Sequence, residues 1–146
     1  MSSSVYAVAA IDILDPTQLG LDLTSATNKA TLFLTALVPN FLTNSDFTAA
    51  PYTSNEVSGG GYTPGGQVLT TQTFVAAGAA PVCTYNADDP AWTNITATGM
   101  RWSIFYADGL AGNNVYYGLD FGADFNASAG PVTIVFDVLG IFTWTL

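Results

Sequence analysis

The chain has 146 residues, 49% of them hydrophobic, which suits one domain with a substantial core. It carries eleven acidic residues, two basic residues and no histidine, for a formal net charge of -9. Lys29 and Arg101 alone cannot form the clustered basic surface that nucleic acids and anionic membranes require, and without histidine there is no Ser–His or Cys–His catalytic pair. We therefore expect a protein that is not an enzyme and binds neither nucleic acid nor membrane.

The low charge points to assembly with other proteins. Charged residues make up 9% of the chain, fewer than the surface of a soluble monomer usually carries. No uninterrupted apolar run approaches the roughly 20 residues that a membrane-spanning helix needs. Uncharged faces that are covered by neighbouring subunits account for this composition, and we expect self-association and protein partners. The lone Cys83 is expected to be a small buried hydrophobe.

In chain order, residues 7–14 can form one or two turns of helix before Pro16, within a possible extended arm at 1–20. Beyond this point, β-branched and aromatic residues alternate between Gly, Pro, Asn and Asp, which is the pattern of short strands joined by turns. We expect an all-β fold for residues 1–146, a single-domain antiparallel β-sandwich or jelly-roll-like barrel with at most a short N-terminal helix. The predicted strands are residues 29–37, 68–75, 81–86, 91–95, 100–107, 115–121, 132–138 and 141–146.

The connections between these strands are also readable. Residues 41–53 form a long loop, residues 108–114 a hairpin loop, and residues 88–90 and 128–131 turns. The run at residues 54–67 is rich in glycine, as in a phosphate-binding loop. However, no lysine and no helix follow it, so the run is better interpreted as a wide turn that needs positive φ angles.

Few residues offer chemistry. Asp88 with Asp89, or Asp120 with Asp124, could form the carboxylate pair of a glycosidase, but aspartates in turns more often bind their own backbone. Oxygen ligands in loops could hold Ca²⁺, but the spacing of an EF-hand is absent. We predict no catalytic residue, no metal ligand and no cofactor. The candidate oxygen ligands for that ion are Asp108, Asn113, Asn114, Asp120 and Asp124.

Three ordered segments carry a family resemblance. They are residues 55–66 (NEVSGGGYTPGG), residues 87–97 (ADDPAWTNITA) and residues 120–144, which contain DFGAD, SAG and GIFTW. In this order they resemble a family of small virion structural proteins encoded by tailed bacteriophages, and LDLT at residues 21–24 fits as well. Members of that family usually carry more charge in their strands, where this chain has Thr70, Thr71 and Thr73. The resemblance provides no catalytic residues.

The resemblance implies a capsid decoration, or cement, protein. Such a protein would be made in the cytoplasm of the host bacterium, bind the exterior of the capsid as a homotrimer, and bridge subunits of the major capsid protein. Tyr62, Phe142 and Trp144 are the expected interface residues, although each could instead belong to the core, Trp144 above all. One alternative is a tail or fibre-base protein.

A carbohydrate-binding module for host attachment is a further alternative. Its sugar platform would come from strand aromatics, which more often belong to a core or a subunit interface. The candidate rings are Trp92, Trp102, Tyr116, Tyr117 and Trp144.

Overall fold

A computed structural model describes residues 4–6, 20–77 and 82–145. These residues contain strands and no helix, and therefore no helix that could cross a membrane. The expected helix at residues 7–14 lies outside the described residues, as does most of the expected arm. The strands are β1 (Ser4–Val5), β2 (Asn28–Leu34), β3 (Gln67–Val68), β4 (Thr73–Ala77), β5 (Val82–Asn86), β6 (Ala91–Ala107), β7 (Val115–Thr133) and β8 (Phe142–Thr145).

The strands form two antiparallel sheets. The larger sheet has the order β1-β7-β6-β2-β3, and the smaller sheet has the order β4-β5-β8. Each pair of neighbouring strands is antiparallel. The all-β antiparallel prediction is therefore confirmed, as is the hairpin that joins β6 to β7.

One face of the larger sheet is covered by the smaller sheet. Tyr85 of β5 lies with its ring centroid 6.0 Å from that of Tyr116, and their hydroxyls are within hydrogen-bond distance. Phe142 of β8 packs on Tyr85 and on Tyr117, with both centroid distances at 5.2 Å. Phe105 is fully buried beneath this layer. Aromatic rings from both sheets thus fill the space between them.

The opposite face is covered by the loop at residues 41–53. Phe47 stacks on Tyr106 with centroids 3.9 Å apart, and Phe41 lies 6.2 Å from Trp102. Tyr52 meets Phe33 edge-on at 6.0 Å. The strands of this region have few polar positions because the chain's own loop buries the second face. Part of the uncharged surface that the sequence assigns to neighbouring subunits is therefore covered within the chain.

Strands β6 and β7 extend well beyond β2, and we call residues 91–99 and 121–133 the outer ribbon. The sequence predicted a break between residues 95 and 100 and a turn at 128–131, and both predictions are wrong. Bulges absorb the irregular residues instead, with Gly99 at φ 75° and Ala129 at φ 48°. The strand predicted at 132–138 is also wrong, because β7 ends at Thr133.

The single strand predicted at 68–75 is interrupted in the structure. It divides into β3 and β4, which belong to different sheets. Thr71 adopts a φ of 51° and Leu69 turns into the core at 2% exposure, so the chain crosses from one sheet to the other here. An alternating pattern cannot reveal this crossing, because both parts retain the residue types of a strand.

The glycine-rich run supports the outer ribbon. Gly59, Gly60, Gly61, Gly65 and Gly66 all have positive φ, which confirms the predicted wide turn. The carbonyl of Gly60 accepts a hydrogen bond from the amide of Thr96, at 2.7 Å. A Cβ atom at Gly61 would overlap the carbonyl oxygen of Asn94. Only glycine lets the loop backbone lie directly against β6.

Candidate functional site

Tyr62 belongs to the interior of the chain. Its side chain is 4% exposed, and its ring lies 6.0 Å from that of Trp92. The hydroxyl donates to Oε1 of Glu56 at 2.8 Å and accepts from the amide of Leu32 at 3.1 Å. Burial, reinforced by the Glu56 carboxylate, raises the pKa of Tyr62 far above its ordinary value. A ring placed this way offers little surface to a partner protein.

Phe142 and Trp144 lie on β8, and Phe142 packs against a different hydrophobic cluster from the one that holds Tyr62. Phe142 is half-buried against the rings of Tyr85 and Tyr117. Trp144 is half-buried and faces Cys83 in the register of β5 and β8. Cys83 is likewise half-buried, so the expectation of a buried thiol is only partly met. The interface role of Phe142 and Trp144 remains a prediction.

The aspartates of the candidate glycosidase pairs have structural partners. Asp88 accepts hydrogen bonds from the hydroxyls of Thr70 and Thr71. Asp89 accepts from the amide of Phe136 at 2.8 Å. These bonds hold the chain where it passes between the two sheets, and they join residues 17 to 47 positions apart rather than the local backbone that the turn interpretation predicted.

The proposed Ca²⁺ ligands do not converge. Asp108 forms an ion pair with Lys29 at 2.5 Å, whereas Asp120 and Asp124 lie beside Arg101. Within the described ranges, no three acidic or cysteine side chains gather closely enough to hold a metal ion. The carboxylates neutralise the two cations of the chain instead.

The aromatics proposed as a sugar platform are mainly inside. Trp92, Tyr116 and Tyr117 are buried, and Trp102 and Trp144 are half-buried. A platform for a sugar ring needs an exposed aromatic face, and these three buried rings provide none. Within this set, only Trp102 and Trp144 keep part of their surface exposed.

A large bulge interrupts β7 where the outer ribbon begins. Met100 pairs with Phe125 and Trp102 pairs with Asp120, so residues 121–124 of β7 lie opposite Arg101 alone. Gly122 provides the positive φ, 79°, that the bulge requires. Bulges of this kind redirect side chains and are frequent beside functional surfaces.

Arg101 holds the bulge in place. Its Nε donates to Oδ1 of Asp120 at 2.6 Å, and its Nη1 lies 3.8 Å from Oδ1 of Asp124. The Asp120 carboxylate is nearly buried and also accepts from the amide of Gly122 at 2.8 Å. Hydrogen bonding to Asp120 raises the pKa of the Arg101 guanidinium above its ordinary value. One of only two cations in the chain is therefore placed at this bulge.

An apolar groove of about 630 Å³ lies beside the bulge, between the first half of β7 and the residues around its end. Phe125, at its edge, has 49% of its surface exposed. Asp124 is the one acidic residue in its lining. The lining contains no histidine or cysteine and is mainly apolar. Its main apolar lining residues are Leu119, Phe121, Phe125, Val132, Ile134 and Val135.

A second exposed apolar feature is the turn at residues 137–140, which we call the Val138 turn. Val138 is 96% exposed and Leu139 is 72% exposed. The Asp137 carboxylate accepts from the amide of Leu139, and the Asp137 carbonyl accepts from the amide of Gly140, both at 2.8 Å. The next amide, Ile141, binds the carbonyl of Tyr85 in the smaller sheet. The turn therefore presents two aliphatic side chains from a fixed base.

Sequence analysis missed both apolar features. It extended a strand to residue 138, although an apolar pair between Asp137 and Gly140 is a signal for a turn. The groove had no such local signal, because it depends on the bulge in β7 and on the bend that brings residues 131–135 beside it.

Comparison with known proteins does not identify the chain. No family model matches it, and neither the curated proteins nor the solved structures contain a match.

Proposed function

We propose that the chain is a structural component of a tailed-bacteriophage particle, specifically a decoration protein of the capsid exterior. The main observation is the Val138 turn, which exposes two aliphatic side chains on a fixed turn. Exposure of these side chains does not stabilise an isolated chain. Their burial between capsid subunits would contribute about 0.8 kcal/mol per buried methylene to binding. The family resemblance of residues 55–66, 87–97 and 120–144 supports the same assignment.

The charged groups support a role without catalysis. Both cations are engaged in ion pairs, Lys29 with Asp108 and Arg101 with Asp120. Among the described residues, the carboxylates of Asp88, Asp89 and Asp137 bind backbone or hydroxyl groups of turns. Groups used in this way stabilise the fold and leave recognition to the apolar surface.

The proposed mechanism is clamping. The Val138 turn would insert between neighbouring subunits of the major capsid protein, and the rest of the sheet would resist their separation. The net charge of -9 favours a partner surface that offers Lys or Arg around the apolar contact. The same charge would keep finished particles apart by repulsion.

The test uses particles purified from a lysogen or lysate that expresses this gene. Mass spectrometry detects the chain, and cryo-electron microscopy locates it. We expect density on the outside of the capsid, with the Val138 turn against the capsid subunits. Density confined to the tail would reject the decoration role in favour of a tail or fibre-base protein. Absence of the chain from the particles would reject any virion role.

A matched pair of variants tests the contact itself. Val138→Asp combined with Leu139→Asp is expected to abolish binding to particles that lack the wild-type chain. Val38→Asp combined with Leu42→Asp places two charges at other exposed aliphatic residues and should leave binding unchanged. Both sites are exposed, so both variants should fold. Equal binding by both variants would remove the Val138 turn from the mechanism.

A further inference from the structure

We infer that residues 4–6 form a strap that keeps both ends of the loop at residues 41–53 on the larger sheet. Release of the strap lifts these ends and uncovers aromatic rings, while the centre of the sheet stays folded. This device is distinct from the Val138 turn, and it operates whether or not the chain belongs to a virion.

The strap is attached to the sheet mainly through one side chain. β1 pairs only two residues with β7, whereas an average strand has about five or six. The amide of Tyr6 adds one bond, to the carbonyl of Tyr116 at 3.0 Å. The Tyr6 side chain is fully buried. The strap therefore depends on what the Tyr6 ring contacts.

Tyr6 contacts both ends of the loop. Its ring centroid lies 4.9 Å from that of Phe41 and 6.4 Å from that of Tyr52. The hydroxyls of Tyr6 and Tyr52 are hydrogen-bonded to each other. The middle of the loop has a separate anchor, because the amide of Phe47 donates to the carbonyl of Gly112 at 3.1 Å. The strap thus holds the two ends and not the middle.

The sheet has a slot for the first end of the loop. A Cβ atom at Gly118 would lie 2.6 Å from Cε1 of Phe41, so the ring occupies the space of the missing side chain. Gly118 is also the residue of β7 that pairs with Ser4. Strap and loop therefore meet the sheet at the same point, and the release of one should loosen the other.

The strap controls access to an aromatic surface. Phe41 lies over Trp102 at 6.2 Å, and Tyr52 meets Phe33 at 6.0 Å. Phe33 is fully buried while the strap is in place. Exposure of these rings to water is unfavourable, so the open form is the minor state of the free chain.

Native-state hydrogen exchange of the full chain tests the inference. The amides of Asn44 and Tyr52 donate to carbonyls within the loop and report on its two ends. In the wild type, we expect both to exchange at least about tenfold faster than the amides of β2, which open only with the whole sheet. Equal rates would show that the loop opens only on global unfolding and would overturn the inference.

A variant of the strap tests its hold on the loop. Tyr6→Ala should accelerate exchange at the Asn44 and Tyr52 amides at least about tenfold further, because it removes the contacts that keep both ends closed. Ile95→Ala truncates a buried side chain of the outer ribbon and is the control. It lowers global stability but should leave exchange at the loop ends unchanged. No acceleration in Tyr6→Ala, or equal acceleration in both variants, would overturn the inference.

A second pair of variants tests the coupling with the strap left intact. Gly118→Ala places a Cβ atom against Phe41 and should accelerate exchange both at Asn44 and at the Tyr6 amide. Gly130→Ala is also on β7, meets no atom closer than 3.8 Å and should change neither amide. Wild-type protection of the Tyr6 amide in Gly118→Ala would show that strap and loop open independently, contrary to the inference.

Discussion

The central part of the larger sheet and the outer ribbon are built from the same two long strands but are stabilised differently. In the centre, Ile104, Phe105 and Tyr106 are consecutive and all buried, because the smaller sheet covers one face and the loop at 41–53 covers the other. In the outer ribbon, Trp92 and Ile95 are buried while Thr93 and Asn94 are exposed. The centre therefore has two covered faces and the ribbon has one.

The two regions therefore differ in how much apolar surface they leave exposed. The centre has no free face to offer a partner, whereas the ribbon carries the bulge, the groove and the half-exposed Phe125. The ribbon is irregular because its bulges redirect side chains and interrupt the regular pairing of β6 with β7. The apolar groove therefore lies in the part of the sheet that has only one covered face.

The largest expected effect tests the difference in burial between two phenylalanines. Phe105→Ala should lower the free energy of unfolding by about 4 kcal/mol, because it leaves a cavity between two layers. Phe125→Ala removes a half-exposed ring and should cost less than about 1 kcal/mol. Chemical denaturation of the two variants measures both losses. Equal losses would contradict the assignment of one ring to the core and the other to a surface.

The next effect tests the glycine support of the ribbon. Gly61→Ala should cost about 3 kcal/mol or more, since the new Cβ overlaps the Asn94 carbonyl and the φ of 86° is unfavourable for alanine. Gly59→Ala, with a φ of 69° and no atom within 4 Å of its Cβ, is the matched control and should cost about 1 kcal/mol. Thermal unfolding distinguishes the two. A Gly61 variant no worse than the control would mean that the loop does not lie against β6.

A smaller effect compares the two cations. Arg101→Ala leaves the nearly buried Asp120 carboxylate without its guanidinium partner, and we expect a clear loss of stability together with increased hydrogen exchange at residues 121–124. Lys29→Ala removes a partly exposed ion pair with Asp108 and should cost no more than about 1 kcal/mol. Unchanged exchange at the bulge in the Arg101 variant would contradict the role given to Arg101.

The smallest effect concerns Glu56, which links the glycine-rich run to the centre. Burial raises the pKa of the Glu56 carboxyl, against the opposing hydrogen bonds from the Gly65 amide and the Tyr62 hydroxyl. The folded chain thus holds this proton more tightly than the unfolded chain does. The carboxyl accordingly lowers stability as the pH rises above its unfolded pKa of about 4.3.

Glu56→Gln keeps an acceptor for Tyr62 and Gly65 and removes the titration. The stability of the variant relative to the wild type should therefore improve between about pH 4 and about pH 7, by less than about 1 kcal/mol. Thermal melts of both proteins across that range measure the change. A difference that is constant with pH would show that burial does not raise the pKa of this carboxyl.

The sequence by itself determined the fold class and most of the strands, because residue type and alternation are local properties that a strand imposes on its own residues. It placed β2, β5 and β8 to within a few residues and explained the positive φ angles of the glycine-rich run. It placed Tyr62 among the candidate interface residues, although aromatic residues at such positions serve a core equally well.

Only the tertiary structure decided which faces are covered. The burial of Tyr62 depends on Leu32 and Glu56, and the groove depends on the contact of β7 with residues 131–135 after its bend. The length of β6 and β7 was likewise hidden, because Gly99 and Ala129 carry the local signals of turns while their bulges keep the ladder intact. Such contacts join residues far apart in the chain, and no local pattern records them.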